Sequence, residues 1–409
     1  MWLIKARVTK YIGAVLGMIL ITGVIYNALP RTPKVVSDVV TVFENDVLKV
    51  ERIGAIDQLA IAYNRDGRVY AAEDHFIYES LAEDQVFSEL GHFNKVDPSA
   101  LDKIKDFVAR LRITRDFRGN FGTNNIVVLQ NDTILVFFDK IYRSTDKGRS
   151  FQAVYDFKKS KVVSPFNHGI AVDKNGDIYF GEYSTKPRPH NIKIIKGSND
   201  GTHWATFHEF PAGELFHIHM MRYDPFRNVV WIAAGDTNDE SKLMYIDQDR
   251  KAIKHLGGGD QGWRIVSLIM TDNFLYWCSD NDQTGSHVYK YNFSTNKRER
   301  LRFVGKPSYY STKLNDGTLV FSTTYEPSSP YTKSEKPDNS TDLWLSKNGD
   351  KWYKVYSVEG KIEQKYWGLT RPNMLLPSGD YSSKHVFLSP TSTTELDFST
   401  QILRVIWTD

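Results

Sequence analysis

The sequence contains one cysteine, little net charge and few segments with helical spacing. The single cysteine, Cys278, excludes an internal disulfide framework and a multi-cysteine zinc site, and we expect it to pack as a small apolar residue. The formal net charge of +3 is small for 409 residues, so the composition does not indicate a nucleic-acid-binding protein. Aromatic residues make up 13% of the chain, and with the many Gly, Asn and Asp turn residues they favour an all-β fold.

The longest uncharged run lies near the N-terminus, from Tyr11 to Leu29, behind three basic residues. At a rise of about 1.5 Å per residue, a helix of this length crosses the hydrocarbon core of a membrane. We therefore predict that residues 1–34 form an anchor and linker of a single-pass membrane protein. The charge bias favours a cytoplasmic N-terminus and a periplasmic or extracellular body. The alternative is secretion after signal cleavage, although the run ends without a good cleavage site.

A hairpin of strand, Asn/Asp/Gly-rich turn and strand recurs along the rest of the chain. The copies begin near residues 57, 124, 168, 217, 264, 309 and 371. From residue 124 to residue 309 the copies begin 44 to 49 residues apart, and such a spacing with four strands per unit is typical of β-propeller blades. We predict an all-β, seven-bladed propeller over residues 35–409, with six blades as the alternative because the end copies are irregular. Residues 35–50 supply a first or closing strand.

One segment of the body has helical rather than strand spacing. Asp97 and Pro98 provide an N-cap and a first-turn proline, and apolar residues follow at Leu101, Ile104 and Phe107. We predict a helical insertion at about residues 97–116.

Three turns share a second motif. Residues 144–151 fit the pattern Ser-x-Asp-x-Gly-x-x-aromatic, and residues 198–204 and 346–352 are versions one residue shorter. In such turns the polar side chains bond to the turn backbone and Gly takes positive φ, so Asp146 and Asp200 are structural rather than catalytic. With the blade period, the motif resembles the Asp-box, or BNR-repeat, β-propellers, which include sialidases and polysaccharide-active enzymes. The resemblance implies the fold more strongly than the activity.

Polar residues recur at equivalent places of the repeat. Residues at or near the start of successive inner strands are Asn124, His168, His217, Arg264, Tyr309 and Arg371. The next strand of each hairpin returns to the same end, where it carries Glu182, Asp236, Asp280 and Glu326. Residues two apart on a strand point to the same face, so His219 projects with His217. We expect these side chains to converge at one end of the propeller axis, with Asn124, Trp263, Asp280 and Arg371 binding substrate.

Three functions compete for these converging side chains. Two are enzymes with a polysaccharide or oligosaccharide as the partner, and the third is a module that binds glycan or protein. In a lyase acting on uronic acids, Arg264 or a metal would neutralise the carboxylate, His217 or His168 would accept the proton, and Tyr309 could protonate the leaving oxygen. In a hydrolase, Glu182 and Asp236 form the best pair of carboxylates. A non-catalytic binding module needs only polar side chains that converge at one end of the axis. Lyase chemistry is slightly favoured.

A second resemblance bears on cofactors. Residues 214–219, Glu-Leu-Phe-His-Ile-His, are similar to the Gln-x-x-His-x-His metal site of propeller-fold oligogalacturonate lyases, with Glu in place of Gln. In that family a further upstream His completes the site, and His168 corresponds to it here. The resemblance implies one divalent metal ion held by His168, His217 and His219. A sialidase is disfavoured because the chain contains no Arg-Ile-Pro motif.

Overall fold

The computed structural model describes residues 35–57, 59–73, 75–81, 86–94, 125–157, 165–166, 168–183, 190–326, 339–361 and 371–408. The predicted anchor, the predicted helical insertion and Asn124 lie outside these residues. Within them, no helix has the length and apolar character needed to span a bilayer.

The described strands form seven antiparallel sheets arranged as the blades of a propeller, which confirms the predicted fold. Strands are given from the axis outward. Blade 1 contains β4 (Ala60–Arg65), β5 (Arg68–Glu73), β6 (Phe76–Leu81) and β7 (Ser88–His92). Blade 2 contains β8 (Asn125–Val128), β9 (Ile134–Phe137), β10 (Lys140–Ser144) and β11 (Gln152–Asp156). Blade 3 contains β12 (Ile170–Val172), β13 (Ile178–Gly181), β14 (Ile192–Gly197) and β15 (Trp204–Phe210).

The next three blades have the same order. Blade 4 contains β16 (Ile218–Asp224), β17 (Val229–Ala234), β18 (Lys242–Asp247) and β19 (Ala252–Gly258). Blade 5 contains β20 (Ile269–Met270), β21 (Phe274–Cys278), β22 (Ser286–Asn292) and β23 (Lys297–Gly305), preceded by a short 3₁₀ helix, Gln261–Trp263. Blade 6 contains β24 (Ser308–Lys313), β25 (Leu319–Thr323), β26 (Ser340–Ser346) and β27 (Tyr353–Glu359).

Blade 7 joins the two ends of the described chain. From the C-terminal side it takes β28 (Asn373–Leu375), β30 (Val386–Thr391) and β31 (Thr400–Trp407). From the N-terminal side it takes β3 (Leu48–Ile56), with β1 (Val35–Val36) and β2 (Val40–Glu44) at its outer edge. A two-residue strand, β29 (Ser378–Gly379), pairs in parallel with β4 of blade 1. The N-terminal segment is therefore the closing strand, one of the two roles predicted for it.

The hydrophobic core is divided into layers between neighbouring blades. Between blades 3 and 4, for example, Tyr179 and Ile194 pack with Met221 and Ile232, all fully buried. The inner hairpin strands are buried on both faces, which explains why runs such as Val229–Ala234 are continuously apolar rather than alternating.

The three Ser-containing turns connect the outer two strands of blades 2, 3 and 6. In blade 2, the Ser144 hydroxyl donates to Asp146 Oδ1 at 2.8 Å and accepts from the Gly148 amide at 2.8 Å. In blade 6, the Ser346 hydroxyl accepts from the Gly349 amide at 2.9 Å. These side chains therefore serve the turns in which they lie.

Closure by β3 generates a stability prediction. Leu48 is fully buried in the core layer between blades 6 and 7, whereas Val47, its neighbour, is 41% exposed. Leu48→Ala should lower the free energy of unfolding by about 2–4 kcal/mol, because it leaves a cavity where the ring closes. The matched Val47→Ala variant should change it by less than about 0.5 kcal/mol. Urea denaturation of both variants measures the difference, and equal effects would show that β3 does not hold the ring together.

Candidate functional site at one end of the axis

The inner strand of each blade begins at the same end of the axis, and the second strand returns there. In blade 4, His217 and His219 stand at the start of β16, and β17 leads back through Gly235 to Asp236. The Gly235 amide donates to the His217 carbonyl at 3.2 Å. Gly235 has φ +88°, and a Cβ there would lie 2.1 Å from the Glu240 carbonyl oxygen, so only glycine allows this return. Asp236 is thereby brought beside the histidines.

Two imidazoles and one carboxylate converge in this blade. The Nε2 atoms of His217 and His219 are 2.6 Å apart. They lie 3.3 and 3.1 Å from the same oxygen, Asp236 Oδ1. A β-bulge between Ile218 and Met220 produces the arrangement, because it re-aims His219 out of the regular ladder. Among the described residues, these three form the one cluster of His, Cys, Asp and Glu side chains with the spacing of metal ligands.

The electrostatics of the cluster favour a neutral imidazole at His219 and an ionised carboxylate at Asp236. Burial lowers the pKa of His219 to about 4, against the opposing hydrogen bond to Asp236. Burial alone would raise the pKa of Asp236, but hydrogen bonds from His217 and His219 hold it well below its usual range. These are the protonation states that metal ligands require.

Arg264 connects this cluster to blade 5. Its guanidinium lies 3.1 Å from Asp280 Oδ2, 3.1 Å from Asp282 Oδ1 and 3.5 Å from Asp236 Oδ1. The main chain also joins these two residues, because the Asp280 amide donates to the Arg264 carbonyl at 2.8 Å. Burial raises the pKa of Asp280 well above its ordinary value, although Arg264 opposes the shift. Because three carboxylates surround the Arg264 guanidinium, its positive charge is already balanced within the protein and attracts a ligand only weakly.

A third group comes from blades 6 and 7. The Tyr309 hydroxyl donates to Glu326 Oε1, and Arg371 Nη1 contacts both that oxygen and the tyrosine hydroxyl, the latter at 3.0 Å. Burial, together with the negative charges of Asp280 and Glu326, raises the pKa of Tyr309 well above its ordinary value. Tyr309 is therefore a protonated donor at neutral pH.

Accessibility separates the members of the site that a ligand can reach from those that support them. The side chains of Arg371, Asp236 and Asp282 are 39%, 27% and 22% exposed. Those of Arg264, Glu326 and Asp280 are 13%, 6% and 4% exposed. A ligand entering along the axis thus meets Arg371, Asp236 and Asp282 first.

The structure places several of the predicted site residues elsewhere. His168 lies deeper in the axis, where its Nε2–H donates to the Leu376 carbonyl at 3.2 Å and its Nδ1 accepts from the Ser267 hydroxyl at 3.1 Å. Its ring nitrogens are thus occupied, and it is not part of the metal-ligand cluster. Positive φ at His168 (+67°) takes the residue out of the strand, which begins at Ile170.

Two more predicted residues have structural partners. Glu182 Oε2 accepts from the Lys193 amide of its own blade at 2.9 Å. Trp263 is buried between blades 4 and 5, stacked on Trp277 at 5.3 Å between ring centroids and covered by Arg298 rather than by Arg264. The 3₁₀ turn Gln261–Trp263 rotates the indole away from the axis. Trp263 is therefore not placed to contact a ligand there.

The sequence analysis missed Tyr183 and Asp282. Tyr183 stacks on His217 with 4.2 Å between ring centroids, and burial raises its pKa to about 12. Asp282 completes the carboxylate group around Arg264. Tyr183 directly follows Glu182, and Asp282 lies two residues after Asp280. Both could have been found by extending the repeat alignment one or two residues past the end of each returning strand.

Comparison with known proteins supports the fold. No protein-family profile and no curated protein matches the chain. Among solved structures, an oligogalacturonate lyase in complex with manganese has a TM-score of 0.54 and 11% identity, covering 93% of this chain and 99% of that one. An oligogalacturonate lyase from Vibrio parahaemolyticus has a TM-score of 0.55 and 12% identity, covering 91% and 98%. A GH74 xyloglucanase from Xanthomonas campestris has a TM-score of 0.53 and 14% identity, covering 81% and 50%.

These likenesses are at the level of the fold. They bear out the seven-bladed propeller, whereas membership of the Asp-box family has no matching profile and stays a prediction.

The neutral state of His168 generates a pH prediction. Burial lowers its pKa to about 3, from about 6.5 in the unfolded chain. The unfolded state therefore binds more protons between these values, and this part of the stability is complete above pH 6.5 and is lost as the pH falls towards 3. In His168→Gln, the decline in the free energy of unfolding over this range should be shallower by up to about 1.4 kcal/mol per pH unit. Denaturation series at several pH values measure it. The exposed control His255→Gln should retain the wild-type slope, and an unchanged slope in His168→Gln would contradict the assignment.

The carboxylates around Arg264 generate a second prediction. Arg264→Gln should lower the free energy of unfolding by about 3–5 kcal/mol, because buried Asp280 loses its counter-charge. Adding Asp280→Asn should recover part of the loss. Arg300→Gln on the exposed outer strand is the control, with an expected change below about 0.5 kcal/mol. Simple additivity of the Arg264 and Asp280 substitutions in urea denaturation would show that the two side chains do not depend on each other.

Proposed function

We propose that this end of the axis is the active site of a metal-dependent lyase that cleaves uronic-acid oligosaccharides or polysaccharides by β-elimination. The observation that supports it most directly is the convergence of His217 Nε2, His219 Nε2 and Asp236 Oδ1 at the end of the axis where Arg371 is accessible. The fold-level similarity to oligogalacturonate lyases, one of them in complex with manganese, is consistent with it.

The residues present fit a divalent metal ion. Two imidazoles and one carboxylate suit manganese, iron or zinc. Charge balance points the same way: even without Asp280, whose pKa burial raises, three carboxylates, those of Asp236, Asp282 and Glu326, face only two guanidiniums, those of Arg264 and Arg371. A divalent cation offsets this excess of negative charge. His217, His219 and Asp236 would hold it, and Tyr183 supports the ring of His217 by stacking.

The other residues supply binding and proton transfer. A divalent metal ion held by His217, His219 and Asp236 would supply Lewis-acid stabilisation of the uronate carboxylate. Arg371, the most exposed cation of the site, binds the same carboxylate. Asp282 is the accessible carboxylate that remains to accept the C5 proton. Tyr309, held protonated by its surroundings, donates to the leaving oxygen. Arg264 positions Asp282 and Asp280 and does not itself bind the substrate.

Hydrolysis is the second candidate, and one observation favours it. Asp236 and Asp282 both contact Arg264 and are 27% and 22% exposed, so a ligand reaches two carboxylates, the number that a glycosidase uses. A sugar-binding module without catalysis is the remaining alternative. Membrane anchoring and an exported location are separate proposals that rest on the uncharged run before residue 30.

The test uses the full chain with oligogalacturonate, alginate and hyaluronan as substrates. Absorbance of the unsaturated uronate product should rise in the presence of Mn²⁺ and not after chelation. An increase in reducing ends without absorbance would indicate a hydrolase instead. Saturable sugar binding without either signal would indicate a binding module.

One double variant and one control variant test the metal ligands directly. His217→Ala/His219→Ala should lose stoichiometric metal and reduce the elimination rate at least about 100-fold, since two of three ligands are removed. The control is His255→Ala, an exposed histidine on β19 of the same blade, which should retain both. Elemental analysis of chelator-free protein gives a readout independent of activity. Metal retained in the double variant would place the ion elsewhere.

A further inference from the structure

A cavity of about 320 Å³ lies at the opposite end of the axis from the His–His–Asp cluster. It is lined by the far ends of the inner strands, including Val172, Arg222 and Met270, and by the loop after β28. β16 runs from one site to the other, since it begins beside His217 and ends beyond Arg222. The cavity is therefore separate from the proposed active site and shares no residue with it.

Arg222 dominates the chemistry of this cavity. The residue is 7% exposed. Its Nη1 donates to the carbonyls of Leu268 and Ser311 at 3.1 and 3.4 Å, and its Nη2 donates to the Gly379 carbonyl at 3.3 Å. These bonds tie blade 4 to blades 5 and 6 and to the β29 segment across the axis. They satisfy three of the five guanidinium N–H groups.

The two remaining N–H groups are Nε–H and the second Nη2–H. Nε and Nη2 lie along the side-on edge of the guanidinium, and donors on this edge match the two oxygens of a carboxylate. Among the described residues, no acceptor binds the Nε–H of this edge, and no carboxylate pairs with Arg222. A structural role in joining the blades explains the three carbonyl bonds and leaves this edge unexplained.

None of the charged and titratable neighbours in the described part of the chain forms an ion pair with Arg222. Asp380 also lines the cavity, but its Oδ2 accepts from the Asp66 amide at 2.7 Å and its Oδ1 from the Ser382 amide at 3.1 Å. His168, on the wall, is neutral because burial lowers its pKa to about 3. Lys313 Nζ lies 4.7 Å from the Tyr381 ring, on which Arg222 also packs at 4.9 Å. A second cation therefore stands close to the first.

The rest of the wall is aromatic and aliphatic. Tyr63, Tyr223 and Tyr381 contribute rings, and Ile170, Met221 and Met270 contribute apolar surface. A volume near 300 Å³ is in the range of small-molecule sites that combine an apolar lining with a few polar groups. We propose that this cavity binds a small organic monocarboxylate, with its carboxylate on the side-on edge of Arg222 and its ring or aliphatic body against the tyrosines.

Isothermal titration calorimetry of the full chain tests the proposal, with benzoate as the probe, benzamide as its neutral isostere and inorganic phosphate as an oxyanion without an apolar body. Benzoate should bind at a single site at least about tenfold more tightly than benzamide or phosphate. This comparison needs no variant. Equal affinities for benzoate and benzamide, tighter phosphate binding, or no benzoate binding at about 10 mM would overturn the proposal.

Three variants locate the site. Arg222→Lys keeps the charge but loses the fork, so benzoate affinity should fall at least about tenfold while the thermal transition stays cooperative. Arg300→Lys on the exposed β23 and Arg371→Gln at the other end of the axis should leave benzoate affinity unchanged. Loss of binding in Arg371→Gln with retention in Arg222→Lys would assign benzoate to the proposed active site and contradict this inference. Because the lyase assays do not use benzoate, failure of either proposal is recognised separately.

Discussion

The pairing of β3 with β31 is the constraint on which the rest of the structure depends. The ladder runs from Leu48 opposite Trp407 to Ile56 opposite Thr400 and converts an open row of sheets into a ring. Only in a closed ring do the starts of all the inner strands face one axis. Residues as distant along the chain as His217 and Arg371 can then contribute to one site. The candidate site is in this sense a product of closure rather than of any single blade.

Within the ring, charge is distributed unevenly between the two ends of the axis. At one end, carboxylates outnumber guanidiniums, and two histidines share an aspartate oxygen. At the other end, Arg222 has carbonyl partners but no carboxylate. Because β16 contributes residues to both ends, a single strand carries groups that favour a cation at one end and an anion at the other. Such polarity along one axis is compatible with two unlike ligands bound to one propeller.

Much of the fold and part of the site follow from the repeat. The blade period predicted the seven hairpins, and the alignment brought Arg264 together with Asp280 and Tyr309 with Arg371. The departures are local changes of backbone that no period encodes. Positive φ moves His168 into the axis interior, a 3₁₀ turn buries Trp263, and the bulge at Ile218 sharpens the approach of His219. Such features depend on tertiary packing, and so the pattern of residue types could not predict them.

Closure by β3 also affects the order in which parts of the structure can form during synthesis. Glu51 of β3 and its ion-pair partner, Arg404 of β31, are 353 residues apart. At synthesis rates of about 5–20 residues per second, β3 leaves the ribosome roughly 20–70 s before its partner exists. During that interval β3 has an unpaired edge that is open to pairing with other chains. The ring that brings the two sites onto one axis therefore closes last. Until then, the unpaired edge of β3 needs protection from pairing with other chains.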